Sequence, residues 1–164
     1  MRHSQNRPIF FVILAAVISV FVAAPSNGFV RAGIAAERAL SDAQLKKIDE
    51  WIADKGRDIA VSPVMTDILG LTKEDQTISC RAFAAEDAAN GEIHQIYVLP
   101  EHKGYLAARF HEDRVEVYWT DQDLVLKAAL SGVRGELPAA TSFQDAQAGF
   151  GKEMAWWANY ADTH

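Results

Sequence analysis

Cysteine is almost absent from this chain: Cys80 is the only one in 164 residues. No disulfide can form within it, so the fold cannot rest on covalent staples and must bury a core instead. Cys80 falls on the apolar side of a candidate strand, where a cysteine behaves as a small hydrophobe, and the sequence sets no His or Asp beside it to activate a thiolate. Positive charge is also scarce. There are 16 Lys+Arg against 22 Asp+Glu, a net charge of −6. The first 35 residues hold Arg2, Arg7 and Arg31 and no acid, so removing their 3 charges leaves −9 on the remainder. A domain this acidic repels phosphate backbones, which argues against nucleic-acid binding and leaves a basic or neutral partner open. No catalytic or cofactor motif stands out, and no cofactor is expected.

Long apolar runs are limited to one. Residues 9–24 are apolar apart from Ser19, follow the basic start, and end at Pro25, Ser26, Asn27 and Gly28. Basic start, short apolar middle and small-residue exit are the layout of a secretory signal peptide. The run is shorter than the ~20 residues a spanning helix needs. Cleavage points with small residues lie at Ala24, Gly28 and Ala35, the first of them beside Pro25. No Cys follows for lipid attachment, and Arg2 and Arg7 are not the adjacent pair of a twin-arginine signal. Residues 1–35 are therefore expected to be a signal peptide, or alternatively an uncleaved N-terminal anchor, with residues 36–164 as a single domain. The expected location is periplasmic or extracellular.

Helical signals come first in the domain. Ser41 and Gln44 form a capping box, Leu45, Ile48 and Ile52 keep a 3.6-residue stripe with Trp51 beside it, and Gly56 suggests a left-handed stop. Ser62 and Pro63 open a second short helix with Val64, Ile68 and Leu69 on one face and Gly70 at its end. From Thr77 the period becomes two. Strands are expected near 77–84, 93–99, 105–111 and 114–120, with Asn90-Gly91 and Glu112-Asp113 as turns. Residues 124–130 read as a fifth strand in preference to a short helix, with Leu124, Leu126, Ala128 and Leu130 inward and Lys127 outward. A final helix opens at Ser142 and Asp145 and carries Phe143, Ala146, Phe150, Met154, Trp157 and Ala161 on one stripe, with Trp156 and Tyr160 pointing away. Gly149 and Gly151 weaken it but permit close approach to the sheet.

Pairing Leu99 with Tyr105 and His111 with Arg114 brings Ile96, Val98, Leu106, Ala108, Phe110, Val115, Val117 and Trp119 onto one apolar face. The expected fold class is α+β: two N-terminal helices, a four- to five-stranded antiparallel meander, and a C-terminal helix packed on the apolar face of the sheet. In architecture alone, and without a shared motif, that order resembles cystatin-like and related helix-plus-meander folds.

The same register gives an outer face of Gln95, Tyr97, Tyr105, Arg109, His111, Arg114, Glu116 and Tyr118, with Arg109 directly opposite Glu116. Aromatics beside a guanidinium suit a carboxylate, a sugar-like ligand or an extended peptide, so Gln95, Tyr97, Arg109, Glu116 and Tyr118 are the candidate ligand or partner site. Trp156 is a candidate anchor for a partner. Glu116 is a poor general base, because Arg109 pushes its pKa down. His94, His102 and His111, with Glu101 and Glu112, invite a metal reading, but this register puts His94 and His111 on opposite faces and His102 at the far end of the hairpin, so no metal site is expected. Asp121 and Asp123 lack the glycine and distal glutamate of a calcium loop. The expectation is an exported, non-enzymatic accessory or binding domain for an envelope protein, a peptide or a small polar ligand. The alternative is a small exported hydrolase, or an inhibitor of one.

Overall fold

A computed structural model describes residues 39–61, 78–99, 103–136 and 138–164. Helix α1 (Asp42–Lys55) leads into strand β1 (Arg57–Val61). Then come β2 (Ile78–Asp87), β3 (Glu92–Val98), β4 (Tyr105–Phe110), β5 (Arg114–Thr120), β6 (Leu126–Val133), β7 (Ala139–Ala140) and helix α2 (Phe143–Thr163). The class is α+β, and the strands form one antiparallel sheet in sequence order, β1 to β7. Among the described residues there are thus seven strands where the sequence pattern suggested four or five. The additions are β1 and the two-residue β7. The second short helix expected at 63–69 and the leader at 1–35 lie outside the described residues. No helix among the described residues is long and apolar enough to cross a membrane.

Helix α1 begins as its sequence requires: the Ser41 side chain accepts from the Gln44 N–H at 3.2 Å, and the Gln44 side chain accepts from the Ser41 N–H at 2.9 Å. It ends differently. Gly56 is extended (φ −65, ψ 157), not left-handed. Glycine is needed there because a Cβ would lie 2.1 Å from the Ile52 carbonyl oxygen, so the chain can turn tightly into β1. Arg81 on β2 then donates to the Ile52 and Ala53 carbonyls at 2.8 and 3.1 Å, satisfying the open end of the helix.

The β4–β5 register is the one the sequence pattern gives: Phe110 opposite Val115, Ala108 opposite Val117, Leu106 opposite Trp119 and Arg109 opposite Glu116. The β3–β4 register is shifted by one residue. Val98, not Leu99, pairs with Tyr105, which sets Ile96 opposite Ala107 and His94 opposite Arg109. The shift moves Gln95 and Tyr97 off the Arg109 face and brings His94, Ile96 and Val98 onto it. Alternation could not fix this pairing, because five of the six β4 positions are buried and both sides of the strand are apolar.

The sheet therefore has two buried sides. Both helices pack on the side bearing Ile96, Tyr105, Ala107 and Tyr118, where Ile48, Ile52, Met154 and Trp157 complete the cluster. This is the Arg109–Glu116 side, not the apolar side that the pattern assigned to the helices. Cys80, Leu99, Leu106, Phe110, Val115, Val117 and Leu130 form a second apolar cluster on the other side. A bulge between Trp119 and Thr120 sends Leu126 to the helix side, while Ala128 and Leu130 stay opposite Trp119 and Val117. Helix α2 buries Ala146, Met154, Trp157 and Ala161 as its stripe suggests, but Phe143 is 46% exposed. Gly149 permits the close approach, since a Cβ there would sit 2.2 Å from the Tyr118 hydroxyl, whereas Gly151 faces open space.

Two glycines give a controlled test. Gly104 has φ +139 and its Cβ would fall 2.0 Å from the Thr120 carbonyl oxygen, whereas Gly91 has φ +72 with nothing within 4 Å. Gly104→Ala is expected to cost about 3 kcal/mol or more and Gly91→Ala about 1 kcal/mol in urea unfolding. Equal costs would contradict the close approach of Gly104 to Thr120.

Candidate functional site

The shifted register lines up one residue from each of three neighbouring strands: His94, Arg109 and Glu116 stand side by side on the helix side of the sheet. Helix α2 crosses above them and lowers Glu153 into the row. Glu153 is 0% exposed and His94 1%. An isolated buried carboxylate costs several kcal/mol, so its oxygens must find donors. They do: Trp157 Nε1 donates to Oε1 at 2.9 Å, and His94 Nδ1 lies 3.1 and 2.9 Å from Oε1 and Oε2. Arg109 Nε adds positive charge 4.0 Å from Oε2. Because a carboxylate only accepts, the imidazole hydrogen is assigned to Nδ1.

Glu116 is the second centre. Arg109 donates to its Oε2 from Nε at 3.0 Å and from a terminal guanidinium nitrogen, Tyr118 donates its hydroxyl at 3.2 Å, and His111 Nε2 lies 3.4 Å away. Arg114 donates to Oε1 at 2.9 Å. Burial pushes the Glu116 carboxyl up, but the hydrogen bond and charge of Arg109, with His111 and Arg114, outweigh it and hold the group below the usual glutamate range. Arg109 is raised in return: burial lowers it, and its bond to Glu116 more than compensates. Burial beside Glu116 drives the Tyr118 hydroxyl well above the ordinary tyrosine value.

His94 and His111 lie on the same side of the sheet, which corrects the opposite-face placement drawn from the sequence. Glu92 sits between them, its Oε1 2.6 Å from His111 Nδ1 and its Oε2 3.7 Å from His94 Nε2. That Nε2 is buried and has no hydrogen-bond partner. His102 lies outside the described residues.

The six residues singled out in the sequence do not share one open face. Arg109, Glu116 and Tyr118 come together beneath α2. Gln95 is 3% exposed on the opposite side, where it accepts a hydrogen bond from Tyr97. Trp156 is half-buried: its indole stacks on the His94 ring with centroids 3.6 Å apart, and its Nε1 donates to Asp87 at 3.1 Å. Tyr160 also stacks on Trp156, with centroids 5.1 Å apart, so the two residues expected to point away from the packed stripe close the roof of the cluster. The sequence reading missed Glu153 and Glu92. Glu153 had a signal: it falls in step with Ala146, Phe150 and Trp157 on the helix, and an acid on an apolar stripe demands a buried partner.

No family model, curated protein or solved structure matches the chain.

Glu116 supplies a pH test. A carboxyl held lower when folded than when unfolded stabilises the fold above the ordinary glutamate value of about 4.3, and that contribution disappears as the pH falls through the folded value. Stability is expected to drop on the acid side, and Glu116→Gln is expected to flatten that drop in urea titrations from pH 6 to pH 2.5. An unchanged acid slope would contradict the assignment of Glu116 as the centre.

Proposed function

We propose that the chain is an exported accessory domain that binds a peptide or a small polar ligand and performs no chemistry of its own. The observation that carries this reading is the roof: Trp156 lies flat on His94, and the polar groups beneath it, apart from His94 Nε2, are bonded to one another. A reactive site must offer polar atoms to a substrate, whereas this cluster is closed and fastens a helix to a sheet. Its one outward-facing charge is Arg114, which donates to Glu116 and has a side chain 54% exposed. An exposed guanidinium suits a carboxylate or a backbone carbonyl of a partner. Export rests on the basic and apolar leader of residues 1–24.

A hydrolase is the second reading, and it draws on one feature: Glu153 bonds Nδ1 of His94, the orientation in which a carboxylate prepares an imidazole as a base. Its Nε2 would have to be uncovered for a substrate to reach it.

The test immobilises the full chain and an Arg114→Glu variant and passes envelope extract over both. The accessory reading expects the chain in the envelope or medium, and a partner or ligand retained by the wild type and lost by the variant, whose circular dichroism stays that of the wild type. Identical retention on both, or turnover of a hydrolysable substrate that disappears in His94→Gln, would overturn it.

A further inference from the structure

We propose that the open half of β2, residues 83–87, takes an extended peptide of alternating basic and apolar residues as an added antiparallel strand. The opening comes from unequal lengths. β2 has ten residues and β1 has five. β1 pairs with residues 78–82, and it starts at Arg57 opposite Ala82, where the chain has just left α1. The rest of β2 pairs with β3 alone, in unbroken register over residues 81–87.

Alternation identifies the groups that are left over. Successive residues of an antiparallel strand turn their N–H and C=O to opposite neighbours. The Asp87 carbonyl accepts from the Gly91 N–H in the β2–β3 hairpin, so Asp87, Ala85 and Phe83 turn toward β3. Ala82 turns the other way, its carbonyl oxygen 3.1 Å from where a Cβ on Gly56 would sit. Ala84 and Glu86 share the parity of Ala82. Their N–H and C=O groups therefore point outward, and no hydrogen bond among the described residues reaches them. A row of unpaired backbone groups on a regular edge is the template that strand addition uses.

The two sides of this edge define the occupant. On the helix side, Phe83 lies among half-buried rings, with centroids 5.7 Å from Trp51 and 6.3 Å from Tyr160. At the other end Asp87 accepts from the Trp156 indole at 3.1 Å. Ala85 lies between them with only a methyl group, so an apolar side chain set opposite it packs toward aromatic edges. On the other side Glu86 is exposed. An opposite charge directly across the strands is favourable, so the residue facing Glu86 is basic, and the net charge of −6 adds the same preference. Because a strand alternates its faces, basic and apolar residues take turns along the occupant. A second copy of the chain fits less well, since pairing this edge with itself brings two acidic domains and two Glu86 side chains together.

The proposal rests on the peptide half of the accessory reading but uses a surface other than Arg114. The probe is a capped heptapeptide of alternating Lys and Val, titrated by calorimetry into the purified full chain. One equivalent is expected to bind. Its Glu–Val counterpart is expected to bind about fivefold more weakly, and a version N-methylated at its lysines about tenfold more weakly. Ala84→Pro removes one outward N–H, a change that an edge strand tolerates; it is expected to keep the circular dichroism of the parent and weaken the Lys–Val peptide about tenfold. Glu86→Lys is expected to reverse the preference in favour of the Glu–Val peptide, and Arg114→Glu to bind the Lys–Val peptide as the parent does. No binding by the parent overturns the proposal, as does binding that survives both Ala84→Pro and Glu86→Lys. A concentration-dependent dimer in sedimentation that Ala84→Pro abolishes also overturns it, because the edge then takes a second copy. If the heptapeptide fails while Arg114→Glu still loses a partner from envelope extract, the edge proposal falls and the accessory reading stands.

Discussion

A fully buried carboxylate governs this structure. Glu153 enters the interface between α2 and the sheet with no access to water, so the fold is tenable only where the sheet supplies donors to meet it. His94 is the sheet's donor and Arg109 stands behind it, while Trp157, one turn further along α2, supplies the other. A buried hydrogen bond adds little net stability, but removing one partner leaves the other unsatisfied at a cost of about 1–3 kcal/mol. The consequence is directional: α2 cannot move away from His94 without stranding Glu153. Gly149 works to the same end by letting the helix descend onto the Tyr118 hydroxyl.

The two sides of the sheet divide the labour. One is largely apolar, with Leu99, Leu106, Phe110, Val115 and Val117 packed together and the buried Gln95 bonded to Tyr97. The Cys80 thiol among them is pushed up by burial to about 11, so it is a packing group and not a nucleophile. The helix side mixes an apolar half, around Ile96 and Trp157, with the charged half around Glu116. Helix α1 is tied to this side at its own polar points, the Tyr105 hydroxyl donating to Asp49 at 3.1 Å and Lys47 to the Ala161 carbonyl of α2 at 2.6 Å. Local capping, helix docking and strand register therefore reinforce one another.

The sequence revealed whatever rests on local chemistry. The Ser41–Gln44 cap, the α2 stripe and the β4–β5 register were legible, the last because Arg109 and Glu116 are opposite charges at matched positions. The β3–β4 register was not, because Ile93 and Tyr97 on one parity and Ile96 and Val98 on the other are equally apolar, so both alignments bury a plausible face. Strand β1 was hidden because Arg57 and Asp58 lead it and it is only five residues long. The site was half legible. Arg109, Glu116 and Tyr118 belong to it. Gln95 and Tyr97 were assigned to it only through the one-residue misalignment, and Trp156 is its roof, not a free anchor. Glu153 left a signal as an acid on the α2 stripe, but its pairing with His94 was out of reach because the two are 59 residues apart and meet only after α2 has docked.

The central claim is that Glu153 and His94 depend on each other across the α2–sheet interface. A double-mutant cycle with Glu153→Gln, His94→Leu and the combined variant, read by urea unfolding at neutral pH, measures that dependence directly. The account expects a coupling free energy of about 1.5–3 kcal/mol, because each single change strands the other group without its partner. Costs that add within about 0.5 kcal/mol would show that the two groups are indifferent to each other and would contradict the account.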